Sequence, residues 1–507
     1  MTPSTAGTHT YVLGIDIGTA STKAVLCTPD GGIVQQARRE HSTSLPGPGR
    51  AEHDAEGIWW ADVHALIREL LPSRPERIRA VCVSGIGPCV LPADADGRPL
   101  RPALLYGVDT RAVPLAERIE RELGGADAVL ARCGSRLGSQ SAGPKLAWLR
   151  HHEPEVWAAT AKVFTAHSYV THRLTGAYVL DHHSASQYAP LYDLAARAWH
   201  QPWAQAVAPG LALPELAWPA DIAGRVTARA AAATGLAAGT PVAVGTIDAW
   251  AEAESVDVRD PGDLMLMYGS TLFFVGVTGT PVRSPALWST AGNHPGQHTL
   301  AAGMASSGSI TQWFRDLTGG AGFPQLTAEA AASPPGAGGL LALPYFAGER
   351  TPVADPQARG IIAGLTLRHT RGDVYRALLE ATALAVRHHL DAFAEAGFTP
   401  GRVVAVGGGT THPLWPQIVT DVTGVAQEYP HERCGASYGD ARFAALAIGA
   451  VRPGARWNRP AKVLTPSAAT RDLFADRYAA YQDLRTATGP LQHRLAAAQD
   501  RHGDPTR

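Results

Sequence analysis

The segment from Asp16 to Lys23 combines residue types that could handle phosphate groups and a metal ion. Its sequence, DIGTASTK, places an acid at the end of an apolar run, then a turn of small and hydroxyl residues, and then a cation. Such a turn offers backbone N–H groups and hydroxyl donors to phosphate oxygens, the Lys adds a point charge, and the acid can hold a hydrated Mg²⁺. An ordinary hairpin turn has a similar composition, and the ordered Walker pattern is absent. Taken alone, the segment leaves a phosphate site and a plain hairpin both open.

Two further glycine-containing turns lie in the second half of the chain. Gly269-Ser270-Thr271 repeats the small, hydroxyl-rich turn, so the two turns could face each other across a cleft and grip one polyphosphate. The triple Gly407-Gly408-Gly409 follows an apolar run, where bare backbone could lie against an adenine-ribose unit. A tight strand-to-helix turn is the alternative interpretation of these three glycines.

Asp248 is the candidate for proton transfer. It follows the apolar run from Pro241 to Val244 and the short turn Gly245-Thr246-Ile247. A carboxylate at this point could accept the proton of an attacking hydroxyl group. The residue could equally cap the N-terminus of a helix.

The elements that must position these residues follow from the hydrophobic pattern. Two apolar runs on either side of each small-residue turn predict β-hairpins, at residues 11–27 and 264–277. Apolar residues at spacings of three and four predict helices over 58–71, which Pro72 closes, and over 373–396. Further buried strands are predicted at 78–83, 241–244 and 403–406, and helical segments at 145–149, 163–174 and 414–422.

The alternation of strands and helices with short connections predicts an α/β fold. Because the hairpin occurs once near the start of each half, we expect two similar domains of about 250 residues. The boundary is placed near Gly245 to Asp257, which gives domains over residues 11–248 and 249–485. A C-terminal helix is expected from Tyr478, with residues 486–507 as helix and frayed polar tail.

Composition excludes several classes of function. The chain has 507 residues, 44 Lys plus Arg and 45 Asp plus Glu, so its net charge of -1 gives no field that would attract nucleic acid or an anionic membrane. The five cysteines form no C-x-x-C pair, which argues against a disulfide framework and a zinc site. No apolar run approaches the ~20 residues that a bilayer requires, and the N-terminus lacks a signal-peptide pattern. We therefore expect a cytoplasmic protein.

The ordered set of motifs resembles the FGGY family of carbohydrate kinases over about residues 11–485, most closely its xylulose-kinase-like members. The motifs that carry this resemblance are Gly14 to Lys23, Gly245 to Asp248, Tyr268 to Thr271, Gly348 to Pro352, Gly360 to Leu365 with Asp373-Val374 and Ala377 to Glu380, and Gly407 to Gly409 with Leu414-Trp415. The resemblance implies the actin-like ATPase fold, in which two ribonuclease-H-like domains flank a deep cleft. It also implies ATP and Mg²⁺ as cosubstrate and cofactor, and a small-molecule sugar or polyol as acceptor.

The same resemblance assigns roles to individual residues. Asp248 matches the catalytic base and a substrate contact, and Asp16 matches the acid that organises Mg²⁺. The remaining positions match phosphate and nucleotide contacts: Gly18, Thr19, Ser21 and Lys23 in the first turn, Gly269 and Ser270 in the second, and Gly308, Gln312, Gly408 and His412 around the nucleotide. Members of the family are commonly dimers, so a homodimer is a further expectation.

The acceptor motif departs from the family. Xylulose kinases carry a Gln-Met-His stretch and glycerol kinases an Arg-Glu pair where this chain has the segment Ile86 to Cys89, and Ala249 with Trp250 replaces the usual amide after the base. The loop that contains Asp109 and Arg111 resembles the family's substrate loop. We expect Asp109 to contact the acceptor with support from Arg111, and a surface ion pair is the alternative. Trp59 is expected in the core and not against the sugar.

These features predict an ATP-dependent carbohydrate kinase in which Asp248 deprotonates a hydroxyl of a sugar or polyol. Because the usual acceptor contacts are missing, a kinase for a cyclitol or another non-sugar polyol is the first alternative. A catalytically weak sugar-sensing protein on the same fold is the second, although the presence of both Asp16 and Asp248 argues against it. The sequence does not identify the acceptor or the hydroxyl that is phosphorylated.

Overall fold

The computed structural model describes residues 10–71 and 75–501, which form two main β-sheets with helices packed on them. The first sheet has the spatial order β5-β6-β4-β1-β2-β3. Its strands are β1 (Tyr11–Ile17), β2 (Ser21–Cys27), β3 (Ile33–Glu40), β4 (Ile78–Gly85), β5 (Ile222–Arg225) and β6 (Pro241–Ala243). Strands β1, β2 and β3 are antiparallel neighbours, whereas β4 runs parallel to β1 and β6 runs parallel to β4.

The second sheet has the spatial order β9-β10-β8-β7-β11-β12-β13. Its strands are β7 (Asp263–Tyr268), β8 (Leu272–Thr278), β9 (Trp288–Ala291), β10 (His298–Gly303), β11 (Arg402–Val406), β12 (Gln427–Pro430) and β13 (Pro460–Leu464). Strands β7, β8 and β10 are antiparallel neighbours, whereas β11 runs parallel to β7 and β12 runs parallel to β11.

The two sheets therefore share one five-strand pattern, with β7, β8, β10, β11 and β12 in the places of β1, β2, β3, β4 and β6. The central strands β1 and β7 are almost entirely buried, as expected for strands that are covered by helices on both faces. This arrangement confirms the predicted α/β fold with two ribonuclease-H-like domains.

Sixteen helices connect and cover the sheets in the described part of the chain. They are α1 (Ala61–Leu70), α2 (Val113–Glu122), α3 (Ala126–Cys133), α4 (Ala142–His152), α5 (Pro154–Ala159), α6 (Ala166–Thr175), α7 (His182–Ser186), α8 (Gln201–Val207), α9 (Ala228–Thr234), α10 (Asp248–Ser255), α11 (Gly308–Leu317), α12 (Phe323–Ala332), α13 (Arg371–Glu395), α14 (Leu414–Thr423), α15 (Ala436–Ala447) and α16 (Arg471–Arg501). A π-helical turn, Ala55–Trp60, precedes α1. None of the described helices is long and apolar enough to cross a bilayer.

Short strands outside the two main sheets complete the described structure. They are Ser44–Gly47, Arg50–His53, Leu91–Ala93, Ala103–Leu104, Lys162–Phe164, Val179–Asp181, Tyr192–Asp193, Ala198–Trp199, Glu215–Ala217, Leu341–Leu343 and Ile361–Ala363.

Helix α15 comes from the second half of the chain but packs on the first sheet. It lies against β1, β4 and α10, and its apolar residues join the core formed by Val12, Val25 and Cys82. The approach is close, because a Cβ built on Gly14 would lie 2.0 Å from the carbonyl oxygen of Ser437 and one built on Gly439 would lie 1.9 Å from that of Ala251. Glycine at both positions lets the backbones meet.

Both predicted hairpins are confirmed, as are the helices that were expected near residues 58–71 and 373–396. Two predictions about element boundaries are wrong. Val163 and Phe164 belong to a short strand and not to the helix that follows it, and the C-terminal helix begins at Arg471 and not at Tyr478. This helix continues through residue 485, where the second domain was expected to end. Pro72 and residues 502–507 lie outside the described residues.

Candidate active site

Residues 18–20 join β1 to β2 and form the first candidate phosphate turn, which is named the first phosphate turn below. The acid Asp16 and the cation Lys23 lie on the two adjacent strands. Asp16 and Lys23 are cross-strand partners, and the turn between them closes through a hydrogen bond of 3.0 Å from the N–H of Gly18 to the carbonyl oxygen of Ser21. Asp16 is only 6% exposed, and its Oδ1 atom has no hydrogen-bond partner in the described structure. A buried carboxylate oxygen without a partner is costly unless something else binds it.

The base loop, residues 245–248, places Asp248 beside this turn. The backbone of Gly245 has φ 78°, and a Cβ there would lie 1.9 Å from the carbonyl oxygen of Val83, so the loop turns sharply against β4. Ile247 then bridges to Gly85 at the end of β4, next to the end of β1. Asp248 is the first residue of α10, whose N-cap is Ile247, so Asp248 is not the N-cap that was the alternative interpretation.

Four carboxyl groups cluster where the base loop meets the turn. Burial and the charge of Asp16 raise the pKa of Asp248 to about 7, and the same two causes raise the pKa of Glu252 to about 7. Burial raises the pKa of Asp16 to about 6, against the opposing charge of Lys23. Asp440 of α15 is fully buried, accepts a hydrogen bond of 2.6 Å from Ser84, and has a pKa raised well above its usual value by burial. The cluster therefore concentrates negative charge in a region of low polarity.

Sequence reasoning found two members of this cluster and missed two. Glu252 lies one helical turn after Asp248, and residues four apart share a helix face, so this spacing was a usable signal. Asp440 reaches the cluster only because α15 packs on the first sheet, which no local pattern indicates.

The cluster is suited to a partly hydrated divalent cation. In the described residues, no three acid, His or Cys side chains converge on one point as a complete set of metal ligands. The buried Oδ1 of Asp16 has no hydrogen-bond partner among the described residues. Mg²⁺ commonly binds through one or two carboxylates while water and substrate phosphates complete its coordination. The residues present fit that mode of binding.

The second phosphate turn, residues 269–271, joins β7 to β8 and meets the start of α11. The N–H of Gly308 donates to the carbonyl oxygen of Gly269 and that of Ser309 to the carbonyl oxygen of Ser270, both at 3.0 Å. A Cβ on Gly308 would lie 2.5 Å from the carbonyl oxygen of Gly269, so only glycine fits there. The N-terminus of a helix favours phosphate groups. Gln312 lies one turn along the same helix and donates to Asp316.

The glycine triple lies beside the second phosphate turn. Strand β11 ends at Val406, which pairs with Met267 near the end of β7, so Gly407 and the turn after β7 share one sheet edge. A Cβ on Gly408 would meet nothing within 4 Å, and this residue is exposed. His412 is exposed as well, and its Nδ1 accepts a hydrogen bond of 3.2 Å from the N–H of Leu414. Both residues thus leave open surface next to the turn.

A cavity of about 790 Å³ lies between the two halves. Residues 135–141 with Ser186 and Gln187 line it from the first half, and residues 285–288 with residues 349–351 line it from the second. Gln140 connects the cavity to the base loop, because its Nε2 donates to the carbonyl oxygen of Gly87 and Gly87 packs against Ile247. The wall of the cavity is thus in contact with the segment that packs against the base loop.

The comparisons with known proteins match both halves of the chain. The N-terminal domain of the FGGY family of carbohydrate kinases matches residues 11–253, and its C-terminal domain matches residues 264–448. The chain belongs to this FGGY family. It is an ATP-dependent carbohydrate kinase, as the sequence predicted.

Individual FGGY kinases match over almost the whole length. The xylulose kinase of Escherichia coli (strain K12) is 30% identical over 493 residues, which cover 95% of this chain and 99% of that protein. A glycerol kinase of Nocardia farcinica is 31% identical over 465 residues, which cover 87% of this chain and 90% of that protein. The crystal structure of xylulose kinase from Rhodospirillum rubrum has a TM-score of 0.87 at 34% identity and covers 95% of this chain and 100% of that one.

The divergent acceptor motif of this FGGY kinase offers no polar side chain to a substrate. Ile86 and Cys89 are sealed in the core, and Gly87 contributes only the carbonyl oxygen that Gln140 binds. Trp59 is fully buried, and its indole N–H donates to His53 at 3.1 Å, so it lies in the core as expected.

Asp109 and Arg111 form a buried ion pair at 2.7 Å, and not the surface pair that was the alternative to a substrate contact. Arg111 also binds Glu52 at 2.7 Å, and Asp109 accepts a further hydrogen bond of 2.9 Å from the N–H of Ala51. Asp109 is fully buried, and both of its carboxylate oxygens accept hydrogen bonds from protein donors. That Asp109 contacts the acceptor stays a prediction.

The first phosphate turn has further support that sequence reasoning did not find. His41 lies with Nδ1 2.8 Å from Asp62 and Nε2 3.0 Å from the carbonyl oxygen of Gly18. The hydroxyl of Thr43 donates to the carbonyl oxygen of Thr19, whose own hydroxyl lies 2.9 Å from Tyr106. These contacts come from distant parts of the chain, and they hold the turn in place.

Proposed function

We propose that this kinase transfers the γ-phosphate of ATP to a hydroxyl group of a neutral sugar or polyol, with Asp248 as general base. The observation that carries the proposal is the position of Asp248 beside the first phosphate turn, where burial and the charge of Asp16 raise its pKa to about 7. A base whose pKa lies near the working pH is the most effective acceptor for a hydroxyl proton.

In the proposed reaction, the acceptor hydroxyl gives its proton to a carboxylate oxygen of Asp248. The hydroxyl oxygen attacks the γ-phosphorus in line, the bond from that phosphorus to the bridging oxygen breaks, and ADP leaves. Lys23 binds the phosphate oxygens together with backbone N–H groups of the two phosphate turns other than those of Gly18 and Gly269, which donate to Ser21 and Thr271. Asp16 would hold Mg²⁺, which supplies positive charge against the phosphates when it is bound. Closure of the two halves would keep water away from the γ-phosphate.

The second half is assigned to the nucleotide and the first half to the acceptor. The helix N-terminus at Gly308 and the open backbone at Gly408 support a nucleotide site beside the turn at Gly269. For the acceptor, the buried apolar segment Ile86 to Cys89 leaves recognition to the polar residues that line the cavity. Sugars, acyclic polyols and cyclitols all present the hydroxyl groups that such residues bind.

The deciding experiment measures ADP release by purified protein with Mg-ATP and a panel of ketoses, pentitols, glycerol and cyclitols, each against a reaction without acceptor. Asp248→Asn should lower the acceptor-dependent rate by about 100- to 10,000-fold while ATP still binds. Asp96→Asn, which changes an exposed surface acid, is the matched control and should leave the rate unchanged.

Two results would contradict the proposal. Asp248→Asn with wild-type turnover would show that another group accepts the proton. A wild-type protein that binds ATP but is stimulated by no acceptor would favour the sugar-sensing function.

A further inference from the structure

A chain of hydrogen bonds crosses from the second half of the molecule to the wall of the cavity. Its first member is the backbone carbonyl of Ala291, which lies 3.0 Å from Nδ1 of His183. On the other side of the same ring, Nε2 of His183 lies 3.3 Å from Nε2 of Gln187. Gln187 lines the cavity, whereas His183 is fully buried behind it.

The direction of every proton in this chain follows from its first member. A carbonyl oxygen can only accept a hydrogen bond, so Nδ1 of His183 must carry the proton. Burial lowers the pKa of His183 to about 4, against the opposing charge of nearby Asp181, so the ring is neutral and its Nε2 is an acceptor. The group that faces Nε2 must then be the NH₂ of Gln187 and not its carbonyl oxygen.

The amide of Gln187 is thereby held in one orientation. Its carbonyl oxygen, Oε1, receives no hydrogen bond from the described residues and is not sealed from the cavity. An amide oxygen that is fixed in this way accepts hydrogen bonds but cannot donate them. It therefore suits a hydroxyl group and repels a carboxylate or a phosphate.

The ring of His183 is also fixed on its face. It stacks on Trp250 with ring centroids 3.6 Å apart and an interplanar angle of 25°. The indole N–H of Trp250 donates to Thr299 at 2.9 Å, and Trp250 lies two residues after the proposed base on α10. The helix that carries Asp248 thus also supports the residue that orients Gln187.

We propose that Gln187 is an acceptor-binding residue that selects a hydroxyl group, and that His183 is a positioning residue that fixes the direction of its amide. This inference rests on the proposed function, because the cavity must hold the phosphoryl acceptor. Within that function it narrows the acceptor to a molecule that places a neutral hydroxyl, and no anionic group, against Gln187.

The kinetic test uses D-xylulose as the first probe and, if the panel gives a better acceptor, that acceptor as well. Gln187→Leu removes the carbonyl oxygen and should raise the acceptor KM by about 3- to 10-fold, the loss of one hydrogen bond, while kcat and the KM for ATP stay within about twofold. His183→Phe keeps a ring against Trp250 but offers no acceptor to Gln187, and it should raise the same KM. His183→Gln restores an acceptor atom and should return the KM towards the wild-type value.

Deoxy analogues of the acceptor make the test specific. The monodeoxy analogue that lacks the hydroxyl bound by Gln187 should bind less well than its parent to the wild-type protein. In Gln187→Leu the two acceptors should bind equally well, because the amide oxygen that contacts this hydroxyl has already been removed. A Gln187→Leu protein with an unchanged acceptor KM, or one that still discriminates among all analogues as the wild type does, would overturn the proposal.

A spectroscopic test does not depend on catalysis. Long-range ¹H–¹⁵N correlation spectra of the full-length protein labelled with ¹⁵N-histidine report which ring nitrogen carries the proton, and His183→Phe identifies the signal of His183. We expect the Nδ1–H form between pH 6 and pH 8. An Nε2–H form would overturn the proposed orientation of Gln187 even if the protein is an active kinase. An inactive protein with the Nδ1–H form would contradict the proposed function and leave the hydrogen-bond chain intact.

Discussion

The two halves of the molecule build the same hairpin from different residues. Counted from the turn, the second cross-strand pair is Asp16 with Lys23 in the first half and Met267 with Phe273 in the second. The backbone frame is equivalent in the two sheets, but this pair is charged in the first half and apolar in the second. The second half contributes glycines, hydroxyl groups and a helix N-terminus. In the proposed function, the repeated fold supplies two phosphate turns, and the residues beside the first of them supply the acid–base chemistry.

Among the variants that test this comparison, the largest effect should come from removing the charge that distinguishes the halves. Asp16→Asn should lower kcat by about 100- to 1,000-fold and raise the Mg²⁺ concentration that is needed for half-maximal rate, because the cation loses its carboxylate. Met267→Leu at the equivalent position is the control and should change the rate by less than about twofold. Titration of ADP release against Mg²⁺ measures both variants. An equal loss of kcat in Asp16→Asn and Met267→Leu would mean that the charge of Asp16 does not distinguish the first half from the second.

An intermediate effect should come from the backbone of the second turn. Gly308→Ala places a Cβ 2.5 Å from the carbonyl oxygen of Gly269, so it should lower the free energy of unfolding by about 1–3 kcal/mol and raise the KM for ATP. Gly408→Ala meets nothing within 4 Å, so the free energy of unfolding should stay constant while the KM for ATP rises if adenosine lies there. Denaturant unfolding and ATP kinetics separate the two. A normal ATP KM in both variants would remove these glycines from the nucleotide site.

The smallest effect should be a change in pH dependence within the first half. Asp248 acts as a base only when it is deprotonated, so kcat/KM should fall as the pH drops through its pKa of about 7. The charge of Glu252 contributes to this raised pKa, so Glu252→Gln should move the acidic limb of the profile to lower pH. Glu395→Gln, an exposed acid in the second half, is the matched control. An unmoved limb in Glu252→Gln would show that its charge does not reach the base.

The two turns could be predicted from the sequence because the residues that specify a hairpin are close together in the chain. An apolar run, a turn of small residues and a second apolar run specify a hairpin within about fifteen residues, and the positions of Asp16 and Ser270 follow. The short run at Val163 misled the helix prediction because a few apolar residues have no period of their own. The roles of Asp440 and Gln187 could not be predicted from the sequence, because each residue acquires its neighbours only when distant elements pack together.

The position of helix α15 also determines when the first sheet can complete its core during synthesis. Val12, Val25 and Cys82 belong to a core that is completed by residues 436–445. During synthesis, which proceeds from the N-terminus, more than 350 residues must follow Cys82 before that helix becomes available. The growing chain therefore holds an unfinished apolar surface on its first sheet until residues 436–447 have been translated.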